Sequence, residues 1–488
     1  MYLQQDYGGK SSFITDYWER LPAVHYFKFY LFNMTNYKDV MFYGHEPILE
    51  EIGPYTYVMI ERKENIHYQN DGNLVAFRSN KTWVYDQQRS CTTCLSTDKV
   101  AFPNVFYTGL QYYKRTSKTT KLFHLILDAF MIVMKIQPIK VVSVKEILLD
   151  SYKDPALEFI HTTFYKIFKE VFRIHTPDFG DLGYFPKYNK TSDGDFLIRT
   201  GKDDIENIGQ IVKWENMTEL PWWNTPETRS LKGSGDGINQ KPGIGRNDKY
   251  EMFQPLVCRK YSLCYSGHEG HVNGIPTLVY SFDGSSYDGV ANVGYRYENL
   301  ERANYFPGWP CGLNHTVEIT DRCWNISCDK FENWCDKCCN GSFINSTYVL
   351  PPGIIPLRCQ PSRTIVLPVG LFLSTPHFLW SPNEVQTSLP GLKPDPALHN
   401  PGFFHLNSFS GHTVGANFKI QFNVPLYPNK GFVWNKVPTK IVPTIWVDLD
   451  VKVPDYALDF FYIMVVIVQR AVLIGAIVLL VLSVRYSL

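Results

Sequence analysis

The sequence predicts an α+β protein: a β-rich body, one inserted helical cluster and a C-terminal helix that crosses a membrane. Three patterns carry that expectation. Residues Phe460–Val484 are almost wholly apolar. Ala416–Val424 and Ile445–Lys452 alternate strictly between apolar and polar residues. Between about 121 and 175, apolar residues recur at helical spacing.

The apolar run is long enough to span a bilayer. As a helix, its 25 residues reach about 37 Å, against a hydrocarbon core of ~30 Å. Gln469 and Arg470 interrupt it, and Arg485, Tyr486, Ser487 and Leu488 follow as a short end, 485–488. Arg470 falls just inside the outer boundary, where its side chain can snorkel toward Asp455 and Asp459. Arg485 agrees with a cytoplasmic C-terminus.

Everything before the helix, residues 1–459, has an extracytoplasmic character. Eight N-glycan sequons occur, at Asn33, Asn80, Asn189, Asn216, Asn314, Asn325, Asn340 and Asn345. There are eleven cysteines, seven of them from Cys311 to Cys359. Cys91 and Cys94 form a CxxC, and Cys335, Cys338 and Cys339 crowd together. Beside sequons, disulfides are favoured over zinc. An odd count leaves at least one thiol free or bonded outside the chain. Met1 opens a polar stretch with no apolar signal core. A first membrane segment before Met1 is therefore expected, making a hairpin of two anchors around one large luminal or extracellular loop.

Along the chain, Leu21–Tyr30 is the first packing element and Pro54–Ile60 reads as a strand. Leu122–Met134 is a helix, apolar on most faces. Pro155 opens a second helix with Leu157, Ile160, Phe164, Phe168 and Val171 at helical spacing. After Phe179 the pattern turns to strands. Ala416, Phe418, Ile420, Phe422 and Val424 face one side, with Asn417, Lys419, Gln421 and Asn423 toward water. No linker or repeat interrupts this, so one large ectodomain is expected. A net charge of +1 argues against a nucleic-acid partner. Aromatic residues make up 15%, which implies a full core or an apolar cavity to be lined.

Motifs for chemistry are weak. Gly8-Gly9-Lys10-Ser11 lacks the upstream glycine of a phosphate loop. Gly233, Gly235 and Gly237 read as a surface loop, as does His268-Glu269-Gly270-His271, whose spacing does not suit a zinc helix. No GxSxG elbow is present. No enzyme activity, metal or cofactor is expected.

An ordered set of segments resembles the class B scavenger receptor family, which includes a fatty-acid translocase, a high-density-lipoprotein receptor, a lysosomal integral membrane protein and insect sensory neuron membrane proteins. The segments are Gly53-Pro54-Tyr55-Thr56-Tyr57; Ser151-Tyr152-Lys153-Asp154-Pro155; Thr191-Ser192-Asp193-Gly194; and Thr200–Gly209 continuing through Trp214 to Pro221-Trp222-Trp223. Cys258-Arg259, Leu350-Pro351-Pro352-Gly353 and Pro376-His377-Phe378-Leu379 follow. The resemblance runs from about residue 15 to the anchor.

It implies a twisted antiparallel β-barrel, an apical helical bundle and a lipid tunnel toward the bilayer. It implies binding of lipids, fatty acids, sterols or lipoproteins at the apex, with Lys135 and Lys140 as basic ligand-binding residues there. Cys258, Cys311, Cys335 and Cys359 match the region of the family's disulfides, without assigned pairs. The lysosomal member's dileucine tail is absent. The expected role is a receptor that passes lipid to the membrane. The alternative is a trafficking or adhesion receptor that binds a protein at its apex. The expected location is the plasma membrane, with a lysosomal or endosomal membrane as the alternative.

Overall fold

The computed structural model describes residues 3–4, 13–117, 120–159, 182–185, 189–289, 292–301, 303–307, 350–359, 366–429, 431 and 433–487. Its centre is one 14-stranded sheet. The first strands are β1 (Val24–Met34), β2 (Leu49–Gln69) and β3 (Leu74–Tyr85). A separate two-stranded ribbon pairs β4 (Lys99–Pro103) with β5 (Ile139–Ser143). Then come β6 (Thr191–Arg199), β7 (Ile211–Trp214), β8 (Ser234–Gly235), β9 (Lys249–Gln254), β10 (Arg259–Val272) and β11 (Ile275–Phe282). The last are β12 (Ile354–Cys359), β13 (Val366–Ser374), β14 (Gly402–Leu406), β15 (Thr413–Leu426) and β16 (Lys440–Lys452).

The hydrogen-bonded order is β7-β6-β3-β2-β1-β16-β15-β14-β11-β10-β9-β8, with β12 and β13 branching from β15. A bridge between Gln210, just before β7, and Gly235 of β8 nearly closes the sheet into a barrel. Every strand pair is antiparallel except β8 with β9, so the barrel is mixed. The Gly233–Gly237 segment is therefore the seam of the barrel rather than a surface loop. Gly237 has φ of +85°, and a Cβ there would come within 3.0 Å of the Met252 sulfur, so glycine suits this close approach.

Strand patterns explain the inside and the outside. In β1, His25, Phe27, Phe29 and Leu31 are buried while Tyr26, Lys28 and Tyr30 are half-exposed. The wet face expected for β15 holds only in part. Gln421 and Asn423 are buried where β13 pairs alongside, and both bond the Ser374 hydroxyl, at 3.1 and 3.0 Å. His268 to His271 lie in the β10–β11 hairpin, not in a loop, with Glu269 paired to Arg246.

Helices begin earlier than the sequence suggests. Beyond the short helices α1 (Phe13–Glu19) and α2 (Tyr37–Tyr43) lie α3 (Val105–Thr116), α4 (Lys121–Val133) and α5 (Pro155–Phe159). Asn104 and Thr120 cap α3 and α4 by accepting from the Phe106 and Phe123 amides. The buried face of α4 is Phe123, Leu127, Phe130 and Met131, while Leu122, Leu125 and Val133 are exposed. Ile160, Phe164, Phe168 and Val171 lie outside the described residues.

The terminal helix runs Asp455–Val484 and is long and apolar enough to cross a membrane. Its first turns are docked on the barrel: Leu458, Phe461 and Val465 pack with Ile275 and Val414, and Asn273 donates to Asp459 at 2.9 Å. Two disulfides occur among the described residues, Cys91–Cys94 and Cys258–Cys359. Cys311 and Cys335 lie outside them.

Candidate functional site

Strand alternation turns one residue in two toward the bore. On β1, β2 and β3 these include Phe27, Met59 and Trp83; on β15 and β16, Ala416, Phe418, Ile420, Val447, Leu449 and Val451. They line a cavity with about 1500 Å³ of space free of atoms, counted out to its mouth. Tyr17, Leu21, Ala23 and Val453 also line it. The register fixes its level. His25 and Ala416 both pair with Val451, one residue before the end of β16 at Lys452, which leads into the terminal helix. The cavity therefore occupies the membrane-proximal part of the barrel. Farther along β15 the bore is filled. Phe29, Phe185 and Phe422 are buried and packed together, with ring centroids 5.8 Å (Phe29–Phe185) and 5.9 Å (Phe185–Phe422) apart. Ala416 and Phe418 line the cavity, whereas Phe422 belongs to this plug.

A charged group sits in the cavity wall. Glu61 on β2 is the cross-strand neighbour of Lys81 on β3. Lys81 donates to Asp193 on β6, Ser79 donates to Glu61, and Lys63 lies 3.7 Å from Glu61. Asp236 joins from the seam. Burial pushes the Glu61 carboxyl up, but Lys81 and Lys63 outweigh it and hold the group down to about 2. Burial pushes the His25 imidazole down to about 4, with Glu61 opposing. For Asp193 and Asp236, burial wins and their carboxyls rise. Sequence reading missed this group. The signal was the inward series Met59, Glu61, Lys63, which looks like the end of a strand because its charged members sit at interior positions.

Glu51, His377 and His399 form the one metal-like cluster among the described residues. His377 Nε2 meets the Glu51 carboxylate at 2.5 Å, Trp446 donates to the same oxygen at 2.8 Å, and the two imidazoles stack 4.2 Å apart. Both Nδ1 atoms accept backbone N–H groups, from Lys393 at 3.0 Å and Asp395 at 2.9 Å. The proton of each neutral ring is thus on Nε2. A metal-binding histidine has the opposite arrangement, with a bare ligating nitrogen and the other N–H donating outward. The cluster is a hydrogen-bonded strut between the β2, β16 and Pro376–His399 segments.

The sequence-derived site residues separate. Lys135 is exposed at φ +52°, just past the end of α4. Lys140 is committed: its ammonium lies 2.6 Å from Asp154 and 4.8 Å from the Tyr152 ring centroid. Asn216 sits in an exposed turn and Asn189 is exposed, while Asn33 and Asn80 are half-buried. Asn314, Asn325, Asn340 and Asn345 lie outside the described residues.

The family model of the CD36 family matches residues 8–488. The chain belongs to the CD36 family. Within it, an uncharacterized protein of Caenorhabditis elegans is 30% identical over 92% of this chain and 83% of the relative. Rat scavenger receptor class B member 1 is 24% identical over 93% of this chain and 75% of the relative. Human lysosome membrane protein 2 is 30% identical over 54% of this chain and spans about half of that relative, 51%. The nearly closed barrel, the apolar terminal helix and the disulfides accord with this CD36-family membership. The chain is a scavenger receptor-like membrane protein.

Proposed function

We propose that this CD36-family chain accepts lipid from outside the membrane and delivers it to the bilayer through the barrel cavity, without chemistry on the lipid. One observation carries the reading. An aromatic and aliphatic cavity lies at the end of the barrel from which β16 enters the membrane helix. Exposing a lipid chain to water costs ~0.8 kcal/mol per CH₂, so a sixteen-carbon chain faces a barrier on the order of 12 kcal/mol in water. An apolar wall continuous with the bilayer removes most of that barrier.

In this reading the helical end, with exposed Lys135, receives lipid or lipoprotein. The Phe29–Phe185–Phe422 plug then has to move for lipid to pass from there to the cavity. The sequons face the exterior and carry glycans, and the plasma membrane is the site of action. Native mass spectrometry of the full chain, purified in mild detergent and released into the gas phase, tests the proposal. Retained acyl or sterol masses at near one per chain support it. A chain without lipid that retains a protein at the helical end supports the adhesion or trafficking role instead.

A further inference from the structure

The terminal helix sets the depth of the barrel base. It has 30 residues, Asp455–Val484. Counted back from Val484, a hydrocarbon core of ~30 Å takes about 20 residues and ends near Val465. Val465 is only 2% exposed, because it packs with Ile275 and Val414 of the barrel. Phe461, one turn earlier, stands about 6 Å above that boundary, inside the headgroup layer. The His412 ring stacks on Phe461 with centroids 5.7 Å apart. The end of the β14–β15 hairpin is therefore at headgroup depth.

Followed from Leu426 to Thr413, β15 approaches the membrane, and the turn from Asn407 to His412 continues past the strand ends. In that turn Phe409 is 48% exposed, between Ser408 and Ser410. Hydrogen bonds hold the turn in shape. Asn407 Oδ1 accepts the Ser410 amide and hydroxyl at 3.0 and 2.9 Å, and the Asn407 carbonyl accepts the Gly411 amide at 2.9 Å. From the side, the Gln240 amide donates to the Gly411 carbonyl and the Gly243 amide to the Ser408 carbonyl, both at 2.8 Å. A turn bonded in this way enters an interface without stripping these groups of partners. An aromatic ring, in turn, favours the boundary between water and hydrocarbon. We infer that the barrel base docks on the phospholipid surface through Phe409, whose ring inserts among the headgroups as a further point of attachment beside the terminal helix. A single helix lets the body above it tilt. A contact off the helix axis limits that tilt and holds the base against the bilayer.

The test uses the full chain in nanodiscs of palmitoyl-oleoyl phosphatidylcholine. The photoreactive residue p-benzoylphenylalanine, a para-substituted phenylalanine, replaces Phe409 in one variant and Phe42 in another. Phe42 is 54% exposed on α2, which follows β1 at the end of the barrel away from Val24 and Lys452. After irradiation, mass spectrometry of the digest should show a phosphatidylcholine adduct at least tenfold more abundant at the Phe409 position than at the Phe42 position. On the unaltered chain, phosphatidylcholine with a diazirine on the acyl carbons next to its glycerol should label the peptide that carries Phe409, so the outcome does not depend on the folding of a variant. No lipid adduct at Phe409 by either route, equal adducts at the two positions, or a crosslink from the Phe409 position to protein in place of lipid would overturn the proposal.

Discussion

Replacing Ala416 with Trp puts an indole into the space between β15 and the bore. Ala416 lines the cavity beside Val451, so the added ring meets open volume rather than a packed neighbour. Burying about 150 Å² of additional aromatic surface at ~25 cal/mol per Å² contributes about 4 kcal/mol, an upper figure set against lost side-chain freedom and displaced contacts. The net change in stability should be within about 1 kcal/mol. The same replacement at Phe422 enters the plug, where Phe185 and Tyr184 already pack against the ring. Overpacking there should cost ~1–3 kcal/mol. Counted over the roughly 400 described residues, at ~2.1 cal/mol/K per residue, that lowers Tm by about 1–4 °C. Differential scanning calorimetry reads the stability, and native mass spectrometry reads the retained lipid. Ala416→Trp should keep its Tm and lose most of its lipid, whereas Phe422→Trp should lose Tm first. An Ala416→Trp chain that is destabilised by 3 kcal/mol or more, or that keeps its full lipid load, would refute the assignment of this wall to an open cavity.

Acid should destabilise the barrel. Burial holds His25, His399 and His412 down to about 4, below the ~6.5 of an unfolded chain, so the unfolded state takes up their protons first. Their contribution is complete above pH 6.5 and is lost as pH falls toward 4, at ~2 kcal/mol per imidazole by pH 5. Asp193 and Asp236, with raised carboxyls, return part of it, and a net Tm decrease of several degrees between pH 7.5 and 5 is expected from thermal scans. An unchanged or higher Tm at pH 5 would contradict the buried neutral imidazoles. Lys135→Glu should weaken capture of anionic vesicles at low salt with no change in Tm, and the loss should shrink as salt rises. Lys140→Glu should instead lower Tm, because it sets a like charge against the largely buried Asp154; equal behaviour of the two variants would rule out that distinction. Removing the Cys258–Cys359 bond by Cys258→Ser and Cys359→Ser opens a loop with a sequence separation of 101 and should cost ~2–5 kcal/mol, read from denaturant unfolding.

Legibility in the sequence followed the physics of each face. Ala416–Val424 and Ile445–Lys452 were readable because alternate positions meet opposite environments. Residues 421 and 423 broke the rule because β13 and Ser374 cover the face that should be wet, and a strand cannot announce its third-layer neighbour. Strand β2 was recognised only to Ile60, since inward Glu61 and Lys63 carry charges that a core strand rarely buries. The charged cavity group escaped notice for the same reason. The glycine run at 233–237 looked like a loop because glycine marks turns and close backbone approach alike. Only the register with Gln210 distinguishes the two. The Glu51–His377–His399 strut joins residues more than three hundred positions apart, which no spacing reveals. Ordered family-like segments carried the barrel and its membrane helix, while the division of the bore into cavity and plug needed the packing itself.

Delivery of lipid through the cavity can be followed by transfer kinetics. The full chain is reconstituted in liposomes and mixed with donor micelles of a self-quenched fluorescent fatty alcohol, and the rise in fluorescence is followed by stopped flow. Transfer should scale with protein content and fall at least tenfold in Ala416→Trp, while donor capture measured by flotation is unchanged. Equal transfer by protein-free liposomes, or by the Ala416→Trp chain, would contradict it.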